Sequence, residues 1–387
     1  MKKITSIVLC ISLIMTLLCG CSNQNATESN YSDDVIVEEI IIDNTSSGSD
    51  ESSVNTETPD VPSGDNSSAD NSSVDNQSQN TSSKVDPASC SHSYDGGVVE
   101  QKAELFKAGT KKYTCTKCGD SYTKTYPVEK IKLLSISNSY GKNALWELYD
   151  ICKAEGVKEI DIAVMYIAGC SLDKHWENIQ NNNAAYEVFR NNNGTWVSTQ
   201  NCSIDSLLAE GDWDVITTQN SSGLSGRADC YGNLNNVADY IKQKCPNSKL
   251  VWHQIWGYQS GSKWLTPNNY NGDEKLMYNS IVDRVNDTVI PSGKFDSVVP
   301  VGTAIMNART SSLKNNVHLD YGSHLSEEFG YYLAAFTWYC HLTGQGVYYT
   351  NFAVNCMLSS SELNIVVESA KNALENPYKI TQSYYTN

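Results

Sequence analysis

Between residues 22 and 88 the chain has no Trp or Phe, one Tyr, and a single basic residue, Lys84, against 14 acidic ones. That segment carries −13 of a formal net charge of −16. A stretch with so little apolar side chain cannot offset its ordering entropy, so residues 21–88 are expected to be a disordered, self-repelling Ser/Asn/Asp-rich tether. Outside it the charges nearly balance, 27 Lys and Arg against 30 Asp and Glu, with no basic excess. This excludes the positive footprint that nucleic-acid binding requires. Long apolar runs are also lacking. The apolar run at 4–18, after Lys2-Lys3, is too short to span a bilayer comfortably and breaks at small residues. A basic start, a short apolar core and a small-residue break make an export signal over 1–20.

Leu18-Cys19-Gly20-Cys21 resembles the bacterial lipobox, which implies cleavage before Cys21 and lipid attachment to its sulfur. The expectation is an extracytoplasmic protein, lipid-anchored to the bacterial cell membrane. Of thirteen cysteines, Cys10 and Cys19 would leave with the signal and Cys21 would be lipidated. Three of the rest fall in a short module over 89–130. There Cys90 and His92 are one residue apart, and Cys115 and Cys118 are two apart and followed by Gly119. Cys-x-x-Cys-Gly on a hairpin points two sulfurs at one point, and Cys90 and His92 can complete a tetrahedron around zinc. A module this polar has little core and needs a staple, either a structural zinc or a Cys115–Cys118 disulfide. The segment resembles small Cys/His modules of Gram-positive surface proteins, though it offers no further Cys or His between His92 and Cys115.

From residue 131 to the end, apolar strand-like runs (132–137, 159–166, 214–218, 249–255, 297–301) alternate with helical patterns (143–155, 233–244, 274–289, 327–342, 362–374). Ser359 and Glu362 form a capping box for the last helix. Alternation of this kind predicts an α/β fold, a three-layer α/β/α sandwich with a parallel, flavodoxin-like sheet over 131–387. Reactive groups in such sheets gather beyond the carboxyl ends of the strands. The loops there hold Ser137-Asn138-Ser139, Ala168-Gly169-Cys170-Ser171 and Gln219-Asn220-Ser221, and His318-Leu319-Asp320-Tyr321-Gly322-Ser323-His324 precedes a late helix.

These blocks, over about residues 131–350, resemble the SGNH (GDSL-like) hydrolase superfamily, in a poorly characterised branch found in bacterial surface lipoproteins. The resemblance implies Ser139 as nucleophile, His324 as its base and Asp320 as the group that orients the base. It implies an oxyanion hole from Gly169 and Asn220, with Gln219 as the other donor to consider. Three departures stand out: Ser137 replaces the usual Gly, the third block lacks its following Asp, and Asp320 and His324 are one residue further apart than the pattern. Spacings of three and four share a helical face, so the pair can still meet; His318 is the alternative base.

The resemblance implies a surface-anchored serine esterase acting on O-acyl esters, acetyl foremost, on carbohydrate or another small ester, with no cofactor for catalysis. The competing reading is a catalytically degenerate glycan-binding protein. Trp176, Trp252, Trp256, Tyr258 and Trp264 are expected either to pack in the core or to stack on sugar rings. His253, within a strand, is expected to be a hydrogen-bonded structural residue.

Overall fold

The computed structural model describes residues 86–319, 321–346 and 356–387. The signal segment, Cys21, the tether before residue 86, and Asp320 lie outside the described residues.

A small antiparallel sheet comes first: β1 (Val98–Gln101), β2 (Gly109–Thr114) and β3 (Ser121–Tyr126), in that spatial order. It buries very little. Between residues 86 and 127 the only buried nonpolar side chains are Cys115 and Cys118. The Phe106 N–H donates to the Leu342 carbonyl at 2.7 Å, and the Thr125 hydroxyl to the Gln345 side-chain oxygen at 2.7 Å, tying this sheet to the larger unit.

The large sheet contains β4 (Lys130–Ser137), β5 (Glu159–Tyr166), β6 (Tyr186–Asn191), β7 (Val197–Cys202), β8 (Val215–Thr218), β9 (Lys249–His253) and β10 (Ser297–Val299). Their spatial order is β10-β9-β8-β4-β5-β6-β7. The first five of that order pair in parallel. Renumbered along the chain, those five run 2-1-3-4-5, the flavodoxin-like order. The sheet is therefore mostly parallel as expected, with an unexpected addition. β6 and β7 form an antiparallel hairpin on the outer edge of β5.

Helices cover both faces. They are α1 (Ser139–Leu145), α2 (Leu148–Ala154), α3 (Leu172–Gln180), α4 (Ile204–Leu208), α5 (Leu234–Lys244), α6 (Glu274–Arg284), α7 (Val301–Ala308), α8 (Gly330–Thr343) and α9 (Ser360–Glu375). Successive side chains of a strand point to opposite faces, and the cores follow that rule. Leu133 of β4 and Ile162 and Val164 of β5 pack with α1, α2 and α6 to α9. Leu134, Ile136, Ala163 and Met165 pack with α3, α4 and α5.

Several elements differ from the sequence pattern, and α3 and α4 fall where no helix was expected. The helix expected over 143–155 is two helices, and the first begins four residues earlier because Asn138 caps it. α7 is buried on every side, so it carries no amphipathic period to read. α6 stops at Arg284 and continues as a π-helical turn, Val285–Val289.

Candidate active site

β4 delivers the chain to the carboxyl end of the sheet, where one residue turns it into a helix. Asn138 is extended (φ −131°, ψ −160°), and its Oδ1 accepts the Tyr140 N–H at 3.0 Å. That cap leaves Ser139 as the first residue of α1, half-buried rather than sealed in the core. Two loops anchor the turn. Asn138 Nδ2 donates to the Cys170 carbonyl at 3.0 Å and to the Asn220 carbonyl at 3.3 Å. Gln219 Nε2 donates to Asn138 Oδ1 at 2.7 Å, and Gln219 Oε1 accepts from His253 Nδ1 at 2.6 Å. Burial pushes His253 down to about 3, so it is neutral at pH 7 and serves as the last link of this chain, a structural role as expected.

The loop before α8 brings the expected histidine. His324 Nε2 lies 2.8 Å from Ser139 Oγ, within reach for the hydroxyl to donate to the ring nitrogen in the tautomer protonated at Nδ1. Burial lowers the His324 pKa to about 4, which keeps the ring neutral at neutral pH. In that tautomer Nδ1 carries the proton and faces Ser323 Oγ at a long 3.4 Å. The loop is folded on itself by Leu319 N–H to the His324 carbonyl (3.0 Å) and by a bridge between His318 and Leu325. His318 itself is buried, and burial pushes it down to about 3; the hydrogen bond to Ser139 belongs to His324.

Two aromatic residues hold the loop from behind. The Tyr140 hydroxyl and the Trp256 indole N–H both donate to the Ser323 carbonyl, at 2.8 and 2.9 Å, and their rings stack 4.2 Å apart. The residue after Ser139 thus grips the residue before His324. The residue types at 140 and 256 give no sign of this; only adjacence to Ser139 hints at it.

The residues expected around an oxyanion are near but unequally available. Gly169 is half-buried with φ +59°, a left-handed conformation that suits glycine, in the turn whose next carbonyl Asn138 holds. Asn220 is fully buried. Its Oδ1 accepts from Leu172 N–H (3.2 Å) and Ser221 N–H (2.9 Å), and its Nδ2 donates to the Cys230 carbonyl at 2.9 Å. At least one of its two amide protons is therefore spent on the scaffold. Both ends of Gln219 are engaged, which makes it a positioning residue for Asn138.

A family model described as a domain of unknown function, DUF4886, matches residues 132–373. The chain belongs to the DUF4886 family. A solved DUF4886 family protein from Bacteroides uniformis ATCC 8492 is 33% identical, with a TM-score of 0.62, covering 67% of this chain and 100% of that one. Two more distant solved structures also match. One, provisionally assigned as an SGNH hydrolase, comes from Slackia heliotrinireducens (18% identity, TM-score 0.35, 54% of this chain and 96% of that one). The other, provisionally assigned as an acylhydrolase, comes from Bacteroides fragilis NCTC 9343 (9% identity, TM-score 0.31, 65% and 88%). Likeness at those scores carries no argument about chemistry. No functionally curated protein matches the chain.

In this DUF4886 domain the side chain at 137 is accommodated by a glycine one turn into α1. Ser137 Oγ accepts from Ser135 Oγ–H at 2.9 Å, and a Cβ at Gly141 would lie 2.2 Å from Ser137 Oγ and 2.5 Å from its Cβ. The domain also settles the aromatic residues. Trp252, Trp256 and Tyr258 are buried core, not a sugar platform, while Trp176 and Trp264 are half-buried. The exposed ring at the site is Tyr321, edge-on to His324 with centroids 5.6 Å apart. Apart from this site, Cys90, His92, Cys115 and Cys118 place their ligand atoms within 4.8 Å of one another.

Proposed function

We propose that the protein is a serine esterase that hydrolyses O-acyl esters, acetyl esters on carbohydrate foremost, from a lipid-anchored position outside the bacterial membrane. One observation carries the reading: the 2.8 Å contact between a half-buried serine hydroxyl and a neutral imidazole, at the carboxyl end of a parallel sheet. A serine hydroxyl becomes an effective nucleophile when a base takes its proton, and this geometry supplies the base.

Ser139 Oγ attacks the ester carbonyl carbon while its proton passes to His324 Nε2. The carbonyl oxygen becomes an oxyanion, met by the Ser139 and Gly169 N–H groups and by any amide proton Asn220 can spare; each such donor is worth about 3–4 kcal/mol in a transition state. The imidazolium returns its proton to the departing alkoxide, which leaves an acyl-serine. Water then attacks with His324 again as base, releasing the acid and Ser139. Asp320 is proposed to hold the Nδ1 proton during these transfers. Support for a sugar substrate comes from Tyr321, whose exposed ring borders the base and offers a stacking surface.

The test is turnover of p-nitrophenyl acetate and of an acetylated glycan, with Ser139→Ala as control. Hydrolysis of both, lost in the variant, supports the proposal. Glycan binding without turnover by the wild type would favour the non-catalytic reading.

A further inference from the structure

We infer that Cys90, His92, Cys115 and Cys118 form a Cys3His zinc site that holds the N-terminal sheet together. The four residues come from two separate places. Cys90 and His92 follow the 3-10 turn Pro87–Ser89, and Cys115 and Cys118 flank the turn between β2 and β3. That turn is closed by the Gly119 N–H to the Cys115 carbonyl at 2.9 Å, with Gly119 at φ +82°. The strand-like arm lies beside it through a Tyr94–Cys115 bridge and the Thr116 N–H to the Ser93 carbonyl at 2.9 Å.

The distances separate the two possible fates of these thiols. A disulfide needs sulfurs about 2.05 Å apart. Tetrahedral zinc, with Zn–S about 2.3 Å and Zn–N about 2.0 Å, sets sulfur–sulfur edges of about 3.8 Å and sulfur–nitrogen edges of about 3.5 Å. Cys90 Sγ and Cys115 Sγ are 3.9 Å apart, and Cys118 Sγ and His92 Nδ1 are 3.4 Å apart. All four ligand atoms lie within 4.8 Å of one another, and Cys90, Cys115 and Cys118 are not disulfide-bonded. The edges are those of a tetrahedron around an ion.

The surroundings suit a structural ion. The Ser93 N–H donates to Cys115 Sγ at 3.4 Å, and the Tyr94 ring stacks on His92 with centroids 5.4 Å apart. All four positions are protein ligands, so no site is open to a substrate, and three thiolates select a soft ion over magnesium or calcium. The sheet has almost no other core, since its buried nonpolar side chains are two of the ligands themselves. Binding releases the protons of three thiols to solvent, and the binding free energy becomes folding free energy for the sheet. The stapled sheet then caps α8 through Phe106, whose N–H meets the Leu342 carbonyl and whose ring lies 5.3 Å from His341.

The experiment uses the full chain, purified in detergent after expression with added zinc, and reads bound metal by elemental analysis. About one zinc per chain is expected, retained in Cys152→Ser and lost in Cys118→Ser. Should Cys118→Ser be insoluble, replacing zinc by cobalt(II) in the wild type decides instead. A tetrahedral cobalt spectrum with strong sulfur-to-metal charge transfer supports the site. Cobalt bound without that transition overturns it. Zinc retained by a soluble Cys118→Ser also overturns it. So does a metal-free wild type whose intact mass is about 2 Da low, the mark of a disulfide.

Discussion

The sharpest structural prediction concerns the contact that lets Ser137 sit under the turn that carries Ser139. An added Cβ at Gly141 would meet Ser137 Oγ at 2.2 Å, Ser137 Cβ at 2.5 Å and Ser135 Oγ at 3.0 Å. Ordinary contact is about 3.5 Å, so α1 must move away from β4 by roughly 1.3 Å or Ser137 must leave its place. Overpacking of this kind costs about 1–3 kcal/mol, offset by about 1 kcal/mol of helix propensity gained on replacing glycine. Gly141→Ala should therefore lose up to about 2 kcal/mol of stability. The kinetic effect should be larger. α1 carries Ser139, and a displacement near 1 Å from the 2.8 Å bond to His324 is worth about 10²-fold in rate. Ser137→Gly removes the two nearest clashing atoms, so the Ser137→Gly/Gly141→Ala double variant should recover most of what Gly141→Ala loses. Urea midpoints and p-nitrophenyl acetate turnover on the four members of this cycle measure both effects. Full activity in Gly141→Ala, or no recovery in the double variant, would refute the packing argument.

Other expectations follow from the same geometry. His324 must be neutral to accept the serine proton, and its pKa is lowered to about 4, so kcat/KM should rise through about pH 4 and be level by pH 6; an acid limb at 6.5 or above would contradict the burial argument. His175, His253, His318, His324 and His341 are all held well below the ordinary value of about 6.5 by burial, the lowest at about 3. Below pH 6.5 the unfolded chain takes up protons that the folded one refuses, so stability is fully present above 6.5 and falls with pH, by up to about 1.4 kcal/mol per pH unit for each histidine; an unchanged urea midpoint between pH 7 and 5 would sink this. Tyr140→Phe removes one of two donors to the Ser323 carbonyl and should lower kcat about 2- to 10-fold with KM little changed, whereas an unchanged kcat would deny that grip a positioning role.

Much of this molecule is legible in its sequence because apolar alternation is. The five parallel strands announce themselves as short runs of Val, Ile and Leu, and their carboxyl-end loops carry the serine and histidine that meet. β6 and β7 were illegible because polar residues break their apolar runs, with β7 almost wholly exposed and joined to β6 through Asn192-Asn193-Gly194-Thr195-Trp196. The start of α1 could be misplaced because Tyr140-Gly141 looks like a continuing turn, whereas the Asn138 side chain makes it the first turn of a helix. At the site, residue type was readable and allegiance was not. Asn220 and Gln219 are amides where amides were expected, yet their hydrogen bonds run to Cys230, Asn138 and His253. Trp256 reads equally as core or as a sugar platform until its burial and its bond to the Ser323 carbonyl make it a brace for the His324 loop.

The central claim is that Ser139 is a nucleophile activated by His324. Its most direct measurement is the mapping of a fluorophosphonate adduct on the intact chain at pH 7, since that reagent labels activated serines without requiring the natural substrate. A single adduct on Ser139, abolished in His324→Ala and preserved in His318→Ala, is the predicted result. No adduct, an adduct on another serine, or labelling of Ser139 that survives His324→Ala would contradict the account.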